Sequence, residues 1–223
     1  MTANDKINYK VIRKMEFETA NKSCHKEDIL HAAIIEFGKA GYKAASTNEI
    51  IKNAKVSKGL LFHYFTDKEN LYKACYAYVI EKYGKFMTEN LKFTSPDLFD
   101  RLLQALKVKM EYGCKEPEVL AFINRDWSLV SRPDLEKLAK EKNPETLAQF
   151  TASLYEGVDT SKFRKGLDVE KIMDITRLAL EASWERFILK YDNDMSVILE
   201  NIGVYLAEAE EIIDLLKNGA YEK

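Results

Sequence analysis

Between residues 46 and 68 the chain gathers side chains that can bond or transfer protons. They are Lys58, His63, Tyr64 and Lys68, with hydroxyls at Ser46, Thr47 and Ser57. A histidine beside a tyrosine can serve acid–base catalysis. However, no nucleophile or metal partner stands near His63 in the sequence. Glu181 and Glu185, the carboxylates that a helical enzyme would have to bring to it, fall in a different part of the chain. The residue types fit a second chemistry better. Cations and short donors on a helical scaffold contact phosphates by charge and base edges by hydrogen bonds.

The elements that must position these groups can be read from capping and period. Thr47 caps a first short helix whose apolar side is Ile50, Ile51 and Ala54. Val56 occupies the turn and points inward. Ser57 caps a second short helix, in which Leu61 and Phe65 lie four apart on one face. That leaves Lys58, Gly59, Phe62 and His63 for other directions. Asp67 caps a third helix that runs to about Leu91, with Lys68 in its first turn. A preceding helix over 25–41 carries Ile29, Ala33 and Phe37 along one face, beside Leu30 and Ile34, and stops at Gly41. Two short helices joined by a tight turn, under a covering helix, form a helix-turn-helix unit whose second helix enters the major groove N-terminus first.

The segment from Val56 to Phe65 (Val-Ser-Lys-Gly-Leu-Leu-Phe-His-Tyr-Phe), followed by Asp67-Lys68-Glu69-Asn70-Leu71, closely resembles the DNA-binding signature of the TetR family of bacterial transcriptional regulators. The resemblance covers roughly residues 25 to 72. It implies a DNA-facing start of the second helix at Ser57, Lys58, Gly59 and Leu60. Lys58 would donate to a guanine edge or a phosphate, Gly59 would admit close backbone approach, and Leu60 would touch a thymine methyl. Phe62 and His63 would face the groove and its flanking backbone. Tyr64 and Lys68 would reach phosphates, as would Thr47 and Ser46 from the first short helix. One position departs from the pattern. Lys55 stands in the turn where the family usually has glycine, at a corner that often needs positive φ. Its charge can add a phosphate contact.

Charge distribution agrees with this division. The net charge of −2 conceals about +4 over residues 1–68 and about −6 over 69–223, a basic tip on an acidic body. Residues 1–24 form a polar, mixed extension able to act as a basic arm. Residues 25–68 form the helix-turn-helix domain, and 69–223 a helical effector-binding and dimerisation domain. Cys24, Cys75 and Cys114 are too few and too scattered for a disulfide framework, and no zinc-type spacing occurs. The opening residues lack the apolar core of a signal peptide, and no apolar run reaches about 18 residues. A cytoplasmic protein with no cofactor and no metal is therefore expected, and no membrane partner.

In the body each proline precedes an acid, at Pro96, Pro117, Pro133 and Pro144. Proline costs nothing at the first helical position and an acid suits the first turn. Helices are thus expected over 96–113, 117–130, 133–141 and 144–156, a loop over 157–167, and two long helices over 168–191 and 195–217. Stripes at Ile175, Ala179 and Ala182, and at Ile202, Tyr205 and Ala209, would pair with a second copy as a four-helix bundle. The resemblance implies the same dimer surface. Tyr112, Phe122, Trp127, Phe150, Tyr155, Trp184 and Phe187 are the candidates to line an effector cavity, with Arg125, Asp126 and Glu181 for polar recognition. The expectation is an all-α homodimeric repressor that binds palindromic operator DNA and is released by a partly apolar small molecule. The alternatives are an activator or ligand-independent DNA-binding protein of the same fold, and a helical enzyme using His63, Glu181 and Glu185.

Overall fold

The computed structural model describes residues 25–125 and 152–221, together with the single positions 137, 141 and 144. Among these residues the chain is helical, with no strand beyond one isolated bridge between Phe163 and Tyr221. The N-terminal unit consists of α1 (25–44), α2 (Thr47–Asn53), α3 (Lys58–Phe65) and the start of α4 (Lys68–Asn90). The body continues with α5 (Leu98–Lys115), α6 (Pro117–Arg125), α7 (Val169–Lys190), α8 (Met195–Glu200) and α9 (Ile202–Ala220).

Short oxygen-bearing side chains start most of these helices, because an oxygen there accepts from amides that have no partner inside the helix. Ser57 caps α3, Asp67 caps α4, Asp97 caps α5, Asp168 caps α7 and Asp194 caps α8. Four sequence expectations change. The cap of α2 is Ser46, whose Oγ accepts from the Glu49 amide, and Thr47 is already helical. The helix expected from Pro96 begins instead at Leu98. Asp97 Oδ1 accepts from the amides of Phe99 at 3.0 Å and Asp100 at 3.2 Å, which a proline start would leave unmet. Helix α1 bends through Gly41 (φ +73°) but goes on to residue 44. The final long helix is two, broken at Asn201, whose side-chain amide folds back onto the Val197 carbonyl. The helices expected around Pro133 and Pro144 lie outside the described residues, apart from those single positions.

Three cores hold the described residues together. The first joins α1, α2, α3 and the N-terminal half of α4 through Ile29, Phe37, Ile50, Leu61, Phe65, Leu71 and Tyr76, and so runs past residue 68. The second joins α5, α7, α8 and α9 through Leu106, Phe187, Ile198 and Tyr205. The third closes the far end with Leu98, Phe99, Phe163 and Ile213. Arg101 is buried there. Its guanidinium donates to the carbonyls of Ser153, Leu154 and Glu156 and so ties α5 to the chain before the 157–167 loop.

Candidate nucleic-acid interface

The turn between α2 and α3 sets the aim of α3. The Val56 amide donates to the Ile51 carbonyl at 3.1 Å and the Lys55 amide to the Lys52 carbonyl at 3.2 Å. This pair of bonds is the Schellman arrangement, and it requires a left-handed residue between them. Lys55 is that residue, with φ +55°. Val56 then packs inward against the first core together with Ile51. Ser57 Oγ accepts from the Leu60 amide at 3.1 Å and fixes the first turn of α3. Leu61 and Phe65 are buried and clamp one side of α3 to α1, α2 and α4.

The other side of α3 is open. Ser57, Lys58, Gly59 and His63 are exposed, and Leu60 is half-buried. Neither Lys55 nor Lys58 takes part in an ion pair among the described residues, whereas Lys52 pairs with Glu49 at 3.5 Å. A Cβ added at Gly59 would meet only Ser57 Oγ, at 3.9 Å, so within the chain this glycine is not required by packing. Phe62 is half-buried and packs against the first core. Tyr64 likewise leans on the core, with its ring 5.6 Å from that of His63 in an edge-on contact. Ser46 and Thr47 are half-buried at the start of α2, where the Ser46 amide also donates to Glu36 at 2.8 Å.

Lys68 has a function in the fold that the sequence did not reveal. Its ammonium donates to the Ala45 carbonyl at 2.6 Å and the Lys43 carbonyl at 3.3 Å, and stands over the Tyr42 ring. It thereby ties the first turn of α4 to the end of α1. Burial lowers its pKa, against the opposing pull of Glu36. An ammonium carries three donors, so one N–H is left for an outside acceptor.

Among the described residues the candidates in the body fall in different clusters. Phe122 is 1% exposed and lies in the first core, 4.5 Å from the ring of Tyr76 and 5.4 Å from that of Tyr72. It therefore packs within the core of the N-terminal unit. Tyr112 packs with Tyr83 and Phe86 between α4 and α5, and burial pushes its pKa up to about 12. Trp184 and Phe187 lie in the second core against Tyr205. Tyr155 is exposed, and Trp127, Phe150 and Asp126 lie outside the described residues, as does the side chain of Arg125. Glu181 pairs with Arg177 on α7. One polar group had no signal in the sequence: Asn124. Its Oδ1 accepts from Trp184 Nε1 at 3.1 Å, while its Nδ2 is buried without a partner among the described residues.

The dimer stripes are also corrected in part. Tyr205 and Ala209 are 1% and 0% exposed within the single chain and face α7 and α5, so they are not free for a second copy. Ala179 and Ile202 are half-buried, while Ile175 and Ala182 face outward. On these helices the exposed large apolar side chains are Ile175 at 41%, Leu178 at 54%, Leu189 at 59%, Val204 at 52% and Leu215 at 74%. Among the described residues no group of three His, Cys, Asp or Glu side chains is placed to hold a metal, and no helix is long and apolar enough to cross a membrane.

Comparison with known proteins places this arrangement. Residues 29–75 match the family described as "Bacterial regulatory proteins, tetR family". The chain is 26% identical over 115 residues to the transposon Tn10 TetC protein of Escherichia coli, covering 52% of this chain and 57% of that protein. It is 32% identical over 66 residues to the HTH-type transcriptional regulator BetI of Yersinia pestis (strain Pestoides F), covering 30% of this chain and 33% of that one. The chain thus spans about half or less of the curated relatives it matches. In fold it is similar to a TetR family transcriptional regulator from Chloroflexus aurantiacus J-10-FL (TM-score 0.63, 17% identity, 89% of this chain and 94% of that one). It is similar as well to the fatty acid degradation regulator FadR from Bacillus halodurans (TM-score 0.60, 18% identity, 86% and 98%).

Proposed function

We propose, from the premise that residues 29–75 belong to the tetR family of bacterial regulatory proteins, that the chain is a homodimeric, effector-responsive transcriptional repressor with no catalytic role. The observation that carries this is the open face of α3. Leu61 and Phe65 hold the helix rigidly, while Lys58, Gly59 and His63 project from it unburied. A cation on the N-terminal turn of such a helix can bond a guanine edge or a phosphate. Tyr64 and the remaining N–H of Lys68 flank it as phosphate donors. These flanking contacts set register, and Lys58 with Leu60 reads bases. The site of action is then the cytoplasm, where bacterial DNA lies.

The second copy docks on the outward stripe of α7 and α9. Ile175, Leu178 and Ala182 follow one face of α7, and Val204, Ala207 and Leu215 one face of α9. Together they form an apolar surface that a lone chain leaves wet. For the effector, the buried Nδ2 of Asn124 supports a ligand that brings a hydrogen-bond acceptor, since an unmet buried donor is costly. The FadR neighbour from Bacillus subtilis was solved in complex with stearoyl-CoA, whose acyl chain is long and apolar, and this supports a partly apolar effector here. Helix α6 joins the two sites. Phe122 is anchored in the N-terminal core, and Asn124, two residues on, bonds Trp184 of the body. Effector bound at Asn124 shifts the population toward an α6 position with poor half-site spacing.

The experiment is operator affinity of Lys58→Ala and Tyr64→Ala. Lys58→Ala is expected to lose about 1–3 kcal/mol if it reads a base, and Tyr64→Ala to weaken all sequences alike. Unchanged affinity in both variants removes α3 as the reading element.

A further inference from the structure

We infer that Lys55 is itself a phosphate contact of the DNA-binding face, kept in left-handed backbone for its charge; this rests on the regulator reading above. The Schellman turn that ends α2 needs a residue with positive φ between its two hydrogen bonds, and Lys55 supplies it at φ +55°. Glycine meets that need without strain, because it has no Cβ to crowd the following carbonyl. Among the described residues no side chain is placed to reward a lysine there. Its side chain is exposed and makes no ion pair among the described residues. The inward packing of the turn is done by its neighbour Val56.

Position gives the reason. Lys55 lies between the end of α2 and Ser57, the cap of α3, and three residues before Lys58. A turn at the mouth of a major-groove helix runs beside the phosphate backbone. An ammonium fixed there gains a counterion-release contact independent of sequence. One other benefit is open to it, attraction to the negative end of the α2 dipole. Lys52 already sits in that last turn, and the dipole effect and the phosphate contact separate in experiment.

The test compares the full-length wild type with Lys55→Gly, Lys55→Gln and Lys55→Arg, using mixed-sequence duplex DNA over a salt series and thermal melting. Lys55→Gly is expected to melt higher, by about 1–4 °C, as strain is relieved. Lys55→Gly and Lys55→Gln are both expected to bind about three- to tenfold more weakly at low salt, with the slope of log affinity against log salt shallower by about one per engaged protomer. Lys55→Arg should keep both. Wild-type affinity and slope in Lys55→Gln overturn the inference, whether or not its melting falls as a pure dipole role requires. Weakening in Lys55→Gly alone also overturns it, because backbone freedom and not charge would then be the cause. A wild type that shows no salt-dependent affinity for DNA overturns the regulator reading as well, and so is told apart from a failure of Lys55 alone.

Discussion

Asp97 shows how much one side chain can hold. It caps α5, and its second oxygen lies 3.1 Å from Lys217 Nζ near the end of α9. Burial works to raise its pKa. The Lys217 ammonium and the Asp100 amide outweigh this, and the folded-state value lies below the ordinary carboxylate range. A carboxylate with a depressed folded pKa contributes stability that is full above its unfolded value of about 3.9 and is lost as pH falls through the folded one. Asp97→Asn, which can still cap, should lose about 1–3 kcal/mol at pH 7 in denaturant unfolding. Between pH 5 and pH 2 its stability should fall less steeply than that of the wild type. Parallel acid limbs for the two proteins would show that the Lys217 pair contributes nothing. At this scale the sequence was readable where a side chain has one dominant use. Ser57, Asp67, Leu61 and Phe65 sit as their chemistry demands. Lys68 was not, because its partners are main-chain carbonyls more than twenty residues away, which carry no residue signal.

Helix α6 is the element whose meaning changed most. Its apolar residues read equally well as cavity lining, since periodicity says which residues share a face but not what that face meets. The neighbour decides it. A Cβ at Gly38 of α1 would stand 3.1 Å from the Phe122 amide nitrogen, so the two helices touch backbone to backbone at that glycine. This approach delivers Phe122 into the cluster of Phe37, Tyr72 and Tyr76. Phe122→Ala should therefore cost about 3–5 kcal/mol, seen as a lower denaturant midpoint. Gly38→Val should also destabilise, since a branched side chain must push α6 off α1. A cost under about 1 kcal/mol for Phe122→Ala would mean that the ring is not part of the N-terminal core. The same ambiguity of phase explains α9. The stripe through Ile202, Tyr205 and Ala209 is real, but Tyr205 and Ala209 face the chain's own α5 and α7, and the weaker stripe through Val204 and Leu215 faces out.

At the scale of the whole molecule, a basic tip on an acidic body is useful only if two tips act together. The sequence could state that division because charge is additive along the chain, and it could state the helix-turn-helix because its signature is local. It could not state which surfaces of the body remain open, because that depends on how α5, α7 and α9 pack. The proposed function is that of a twofold reader of the major groove. Its most direct test is selection of bound sites from a random duplex pool by the full-length protein, with the number of protomers per duplex measured on the winners. The predicted result is a twofold-symmetric site occupied by two protomers, with half-site centres about 34–36 Å apart or a multiple of that, and loss of enrichment in Leu178→Glu, which puts charge on the outward stripe. An enriched site without twofold symmetry, or one filled by a single protomer, would contradict it.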